Sequence, residues 1–441
     1  MLDFWISFFK HHFKGDRTLW ALILLFTIIS FLAVYSNLPN IVYVMADDGK
    51  VSLGGKMFTQ LIFVTLGFIG LYIAHRIPFR FYGVISLVGL FISVVLLILA
   101  LLTKSQINGE STSRWVKVGG FTLQPSILAT LALIVYISRY LAVAYNEKPR
   151  FRDTILPFWI PLFATTILIL PANLSTALLT LSSVLTLAFI ARLPIRNILT
   201  GITSSILLAV VLIAFLKITN IGISSRVDTW KSRIEAFWNK NDNTREEGYQ
   251  IERCKMAIAN GGLLLGQGPG KSAMRNFLPN SSSDFIFATT VEEYGVFGGW
   301  IIIILYLLLL FRIITIAQKA KTLNGQLLVT GIGFWILFQA ILNMGVAVDL
   351  LPLTGQNLPL ISSGGTSIIA TYTALGCILS VSRSKSSDGQ KEKDVNDEEI
   401  AAEIGQMIDT AEENRQKRKA KKLEEQAAKK KKKRTSSNKP L

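Results

Sequence analysis

The sequence predicts an all-α polytopic membrane protein of about ten transmembrane helices, with both termini cytoplasmic and a large extracytoplasmic loop between helices 7 and 8. Three observations carry this prediction. Hydrophobic residues make up 51% of the 441 positions and charged residues only 17%, where a soluble globular chain carries roughly a quarter charged. The apolar residues come in blocks of about 20, the length that crosses roughly 30 Å of hydrocarbon at about 1.5 Å per residue. Finally, the Lys and Arg of the short connections fall on one side of an alternating ten-helix path.

The start, Met1–Lys14, is short and amphipathic, and residues 1–17 are read as a cytoplasmic N-terminus. No small-residue cleavage site follows the first apolar block at signal-peptide spacing, so that block is read as a retained helix. Apolar blocks fall near 18–36, 57–74, 82–102, 124–143, 155–171, 174–191, 197–216, 296–316, 326–347 and 361–381. The fifth and sixth nearly merge. Pro171 and Asn173 mark the turn between them, because a continuous helix would bury both with unsatisfied backbone.

The cytoplasmic set of cations runs from Lys10, Lys14 and Arg17 through Arg76, Arg80, Lys148, Arg150 and Arg152 to Arg383 and Lys385. The membrane domain therefore covers 18–381, and its largest connection, 217–295, faces outside. Residues 382–441 are read as a charged cytoplasmic tail expected to be disordered, with seventeen Lys and Arg against twelve Asp and Glu, or +5 of the total +17. Its run Lys429–Arg434 suits anionic lipid at about 1 kcal/mol per cation, and nucleic-acid binding is the weaker reading. Cys254 and Cys377, with only His11, His12 and His75, form neither a disulfide framework nor a zinc site.

Polar residues at the outer helix ends carry the chemistry. Arg114 and Lys117 flank Trp115 three residues apart, and Gln124-Pro125-Ser126 opens the next helix, with Pro suited to the first helical turn. An interfacial tryptophan with ordinary loop charges is the bland alternative. In the large loop, Tyr249-Gln250 precedes a glycine-rich run, Gly266-Gln267-Gly268-Pro269-Gly270-Lys271-Ser272. It fails as a phosphate-binding P-loop because position 265 is Leu rather than Gly and no buried strand precedes it. Its glycines still allow close backbone approach, and Lys271 and Arg275 are cations able to meet a pyrophosphate. The bland alternative is a glycine-rich turn with surface cations.

Asp284, directly followed by Phe-Ile-Phe-Ala, sits where a loop enters the membrane interface, and partial desolvation there favours a proton acceptor. Glu292 and Glu293 follow at membrane depth, where carboxylates default to functional hypotheses; a structural pairing with Lys or Arg of another helix is their alternative. Near the C-terminal end, Leu350–Leu360 is dense in Pro and Gly, and Gly364 and Gly365 read as helix-packing contacts.

Together these residues resemble the SEDS family of shape, elongation, division and sporulation proteins, over about residues 15 to 383. The markers occur in family order: Arg114-Trp115 with Gln124-Pro125-Ser126, Leu174 with Thr176-Ala177, Tyr249-Gln250 with Gly261-Gly262, Gly266 to Ser272, Asp284 to Ala288, Glu292-Glu293 with Gly295, Leu350 to Gly355, Leu358-Pro359, and Gly364-Gly365 with Ser367. The resemblance implies a multi-pass protein of the cytoplasmic (inner) membrane that polymerises lipid II into glycan strands at the outer face. It implies work beside a class B penicillin-binding protein transpeptidase and other divisome proteins. The run Thr354–Ser362 looks more like the division-type (FtsW-like) branch than the elongation-type (RodA-like) one.

By the resemblance, Asp284 is the catalytic residue. Arg114, Lys117, Gln124, Ser126, Gln250, Lys271, Ser272, Arg275, Glu292 and Glu293 are the expected substrate-binding set. A divalent cation, Mg or Mn, fits the pyrophosphate, although no residue cluster identifies its ligands, and no nucleotide site is visible. The chain departs from the family pattern at Ile127 and Thr130, where Glu and Lys are usual, at Ala172-Asn173 and Ser175 in place of Pro-Asp and Gly, at Asn280 for Glu and at Arg275 for Lys. Asp284 and Lys271 are kept, so a divergent active member is expected. A lipid II flippase is the rival reading, and a non-catalytic scaffold is a third. The outer-face clustering of the polar motifs, against mid-helix positions of mostly Leu, Ile, Val and Phe, favours the enzyme.

Overall fold

The computed structural model describes residues 14–37, 53–103, 106–107, 110–111, 114–118, 121–145, 149–218, 238, 246–278 and 281–384. Most of the amphipathic start, parts of the large loop and the charged tail lie outside them. Ten helices match the ten apolar blocks: α1 (Arg17–Asn37), α2 (Leu53–Arg76), α3 (Tyr82–Thr103), α4 (Pro125–Ala144), α5 (Phe151–Ile169), α6 (Leu174–Ile190), α7 (Ile195–Ile218), then, after α8 (Glu246–Asn260) in the large loop, α9 (Ile286–Gln318), α10 (Leu323–Ala347) and α11 (Gly365–Arg383). Among the described residues, eight of these are long and apolar enough to cross a membrane by length and composition, and α6 is a shorter apolar helix. The protein is a helical, multi-pass membrane protein.

The turn expected between the fifth and sixth blocks is present. Asn173 is the N-cap of α6, its Oδ1 accepting from the Thr176 N–H at 3.2 Å. That bond satisfies one of the donors a helix start leaves orphaned. Within α5, Ile155–Trp159 forms a π-helical turn. Pro157 and Pro161 explain it, since each removes an N–H from the helical ladder.

Sequence patterning missed two short antiparallel hairpins between α3 and α4: β1 (Gln106–Ile107) with β2 (Glu110–Ser111), and β3 (Val116–Val118) with β4 (Phe121–Leu123). Ile107 pairs with Glu110 and Val118 with Phe121. Each pairing thus encloses two residues, and these are Asn108-Gly109 and Gly119-Gly120 in the sequence, both strong hairpin dipeptides.

The core lies on α4, α10 and α11, whose buried faces run nearly their whole length. By contrast, α3 keeps Val84, Val88, Phe91 and Leu102 exposed, as a helix facing lipid does. Close packing of α2 on α11 depends on small residues. A Cβ at Gly376 would lie 2.4 Å from the Leu71 carbonyl oxygen. Gly365 packs in the same way on the Phe63 ring, and Gly364 on Asn357, the packing role expected for that pair.

At the other end of the bundle Asp16 closes a clasp. Its Oδ1 accepts from the Leu19 N–H at 2.9 Å, capping α1, and from Arg312 Nε of α9 at 2.6 Å, while Oδ2 takes a second guanidinium bond from Arg312. The Asp16 N–H donates to Ser382 Oγ of α11 at 3.1 Å.

Candidate active site

Helix α9 is in fact two pieces joined at Gly295, whose φ of 74° and ψ of 178° suit glycine alone. The eighth span therefore begins ten residues before the expected 296, in a short outer piece that hydropathy left in the loop because Glu292, Glu293 and Gly295 interrupt its apolar run. The break frees the carbonyls of Glu292 and Glu293, which a continuous helix would pair with Val296 and Phe297. They accept instead from the Gln267 and Gly268 N–H groups, both at 2.9 Å, and the Val296 N–H turns to the Gly262 carbonyl at 3.0 Å. The glycine-rich loop is thus bound to the break by its main chain, and a Cβ on Gly266 would meet the Glu293 carbonyl at 2.3 Å.

The carboxylates complete this cradle. Glu292 and Glu293, expected to face a ligand, are 0% and 1% exposed and turned into the protein. Glu292 accepts from Ser272 Oγ, from the Ala273 N–H at 3.2 Å, from the Met274 N–H at 3.3 Å and from Asn260 Nδ2 at 3.4 Å. Glu293 accepts from Ser36 Oγ on α1 and pairs with Arg275 at 3.8 Å. Ser36 Oγ itself accepts from the Gly270 N–H at 2.7 Å, and its carbonyl accepts from Arg275 at 2.5 Å. Burial lowers the Arg275 pKa from its usual value, while the charges of Glu293 and Glu292 push it back. Ser272 is buried with this cluster, whereas Lys271 is exposed on the loop.

Asp284 lies half-buried in the turn that opens α9. Its carbonyl accepts from Asn343 Nδ2 of α10 at 2.7 Å, and the same amide donates to the Gln356 carbonyl at 2.7 Å. Ser362 Oγ donates to the Ser283 carbonyl at 2.5 Å, and Ser363 holds the Ser282 carbonyl through both its N–H at 3.0 Å and its hydroxyl at 2.9 Å. The main chain on both sides of Asp284 is therefore fixed by α10 and by the segment leading into α11. Gly355, with φ at 62°, stands opposite the carboxylate, and a Cβ there would be 3.5 Å from Asp284 Oδ2.

From this frame hydrogen bonds run on to Arg114. Gln356 Nε2 donates to Thr176 Oγ1 at 2.9 Å, Thr176 is held by the Asn173 cap, and the neighbouring Ala172 carbonyl accepts from Arg114 Nε at 2.7 Å. Gln124 lies at the start of α4, where its N–H donates to Thr366 Oγ1 at 3.2 Å and its side-chain amide to Ser126 Oγ at 3.3 Å. Gln250 is half-buried on α8. Lys117 lies in β3 opposite Thr122, and its side chain lies outside what is described.

The structure thus brings Ser272, Arg275, Glu292 and Glu293 into one cluster, and joins Asp284 to Arg114 through the α6 start. Asn343 and Ser36 were not foreseen. Gln339 and Asn343, one turn apart in an apolar span, were the legible signal for the first; nothing in the local sequence marks Ser36. Among the described residues no three His, Cys, Asp or Glu side chains gather to hold a metal ion.

The model of the cell cycle protein family FtsW/RodA/SpoVE matches residues 16–387. The chain belongs to this family. It is 32% identical over 343 residues to the "Probable peptidoglycan glycosyltransferase FtsW" of Mycobacterium tuberculosis, covering 76% of this chain and 62% of that protein. The protein of the same name from Escherichia coli O6:H1 is 31% identical over 364 residues, covering 78% of this chain and 83% of the relative. The solved structure of rod shape determining protein RodA from Thermus thermophilus is 25% identical, with a TM-score of 0.59 over 85% of this chain and 98% of that one. A chain of a peptidoglycan synthase complex that coordinates polymerization and crosslinking shares the fold at a TM-score of 0.65, covering 85% of this chain and 99% of that one. The family match spans both the Asp284 frame and the buried glutamate cradle.

Proposed function

We propose that this protein is a peptidoglycan glycosyltransferase that polymerises lipid II into glycan strands at the outer face of the cytoplasmic membrane, in septal wall synthesis of the division (FtsW-like) type. The observation that carries the reading is Asp284: a half-buried carboxylate on a turn whose main chain is fixed by Asn343, Ser362 and Ser363. A proton acceptor held in one position suits general-base chemistry, where geometry comes before acidity.

In this reading the Asp284 carboxylate takes the proton of the acceptor sugar 4-hydroxyl as that oxygen attacks the anomeric carbon of the donor. The bond to the pyrophosphate breaks, its electron pair leaves on undecaprenyl pyrophosphate, and the anomeric centre inverts. Arg114 and the exposed Lys271 supply cations toward the departing charge, while Arg275 is held in the buried cradle by Glu293 and the Ser36 carbonyl. A divalent ion, Mg or Mn, would supply further charge to the pyrophosphate. The expected partner is a class B penicillin-binding protein that cross-links the strands, within a wider set of division proteins. Both cytoplasmic termini and the outward-facing large loop belong to the same reading, on the strength of the Lys and Arg distribution.

The test is polymerisation of purified lipid II by the purified protein with its cognate synthase, comparing wild type with Asp284→Asn and Asp284→Ala. Polymer from wild type and none from either folded variant supports the assignment. Variants that polymerise as well as wild type would move transport or scaffolding to the front.

A further inference from the structure

The glycine-rich loop carries a feature that the chemistry leaves unused. Leu263, Leu264 and Leu265 are 81%, 72% and 87% exposed, three adjacent leucines at the tip of a turn flanked by Gly262 and Gly266, each with φ of +58°. Exposed apolar runs of this kind mark an interaction site. We propose that this leucine tip inserts into the bilayer interface, anchoring the glycine-rich loop to the leaflet beside α9.

Depth supports lipid as the occupant. From Val296 to Gln318 the inner piece of α9 rises roughly 34 Å, a little more than the roughly 30 Å of hydrocarbon, so Gly295 stands at a boundary of the apolar slab. The Leu264 main chain packs directly on Gly295, where an added Cβ would lie 2.9 Å from the Leu264 carbonyl carbon. The leucines therefore lie at the boundary rather than above it. Just past Gly295, α9 exposes Phe297 and Trp300, the latter a residue type favoured at the interface. The run from Gly261 to Gly270 contains no charged residue, and the first charge after it is Lys271. A tip in the leaflet with its cation just beyond matches the apolar and polar layers of the interface. In the orientation proposed above this is the outer leaflet, although the anchoring itself does not depend on the catalytic reading.

The experiment attaches a nitroxide to Leu264→Cys in the full chain, reconstituted alone in nanodiscs, and compares collisions with oxygen and with a water-soluble nickel chelate. The two native cysteines are buried, and burial pushes the Cys254 thiol up to about 12, so labelling of the wild-type protein is expected to be negligible. Ile304→Cys, on the exposed face of α9, gives the deep reference. The expected result is that oxygen collisions exceed chelate collisions at Leu264, at a depth shallower than Ile304. Leu263→Cys and Leu265→Cys read the same tip should the first variant fold poorly. Chelate collisions that dominate at all three positions would overturn the proposal. So would protection that arises only when a partner protein is added, which would assign the tip to a protein interface.

Discussion

Glu292 is wholly enclosed, and the donors around it come from both sides of the glycine-rich loop: Asn260 from α8, and Ser272, Ala273 and Met274 beyond it. Removing the carboxylate leaves buried N–H and O–H groups unanswered. Glu292→Ala is therefore expected to lower stability by about 3 kcal/mol, read as a clear fall in thermal unfolding temperature in detergent, with Glu292→Gln falling between it and wild type. An unchanged unfolding temperature together with lost lipid binding would return Glu292 to the substrate. At this scale the sequence was legible where a carboxylate stands directly before an apolar run, as Asp284 does. It was illegible where the meaning of a side chain depends on a distant partner. Ser36 touches Glu293 and Gly270 across more than two hundred positions, and no local pattern announces such a meeting.

Among the elements, the spans followed from apolar length alone, and the Asn173 turn from its polar residue beside a proline. What hydropathy could not separate was a helix from the loop before it when acidic residues lie inside the helix, hence the unanticipated outer piece of α9. The two hairpins were missed for a different reason: their strands are too short for alternation to register, and only the Asn-Gly and Gly-Gly dipeptides signalled them. The break in α9 is the element on which the cradle depends. Gly295→Ala is expected to cost about 1–3 kcal/mol of backbone strain, besides pressing its Cβ on Leu264. The expected outcome is weaker protection from hydrogen exchange at the Gln267 and Gly268 amides and less glycan polymer per unit of folded protein. Unchanged exchange at those amides would show that the loop is held by other means.

For the molecule as a whole, the Asp16 clasp ties α1, α9 and α11 together at one end of the bundle, far along α9 from the Gly295 break. Asp16→Ala removes a cap and a two-pronged guanidinium contact at once, an expected loss of about 2 kcal/mol. A double-mutant cycle with Arg312→Ala should return a coupling of about 1 kcal/mol or more. Additive losses would mean that the contact contributes little beyond each residue alone.

The same clasp decides where the protein can be extended. Because the chain is gripped from Asp16 onward, a fluorescent protein or purification tag joined ahead of Lys14 leaves the grip and the span behind it intact. A truncation that carries the junction past Asp16 would release Leu19, Arg312 and Ser382 together, and would be read, wrongly, as a defect of the tag.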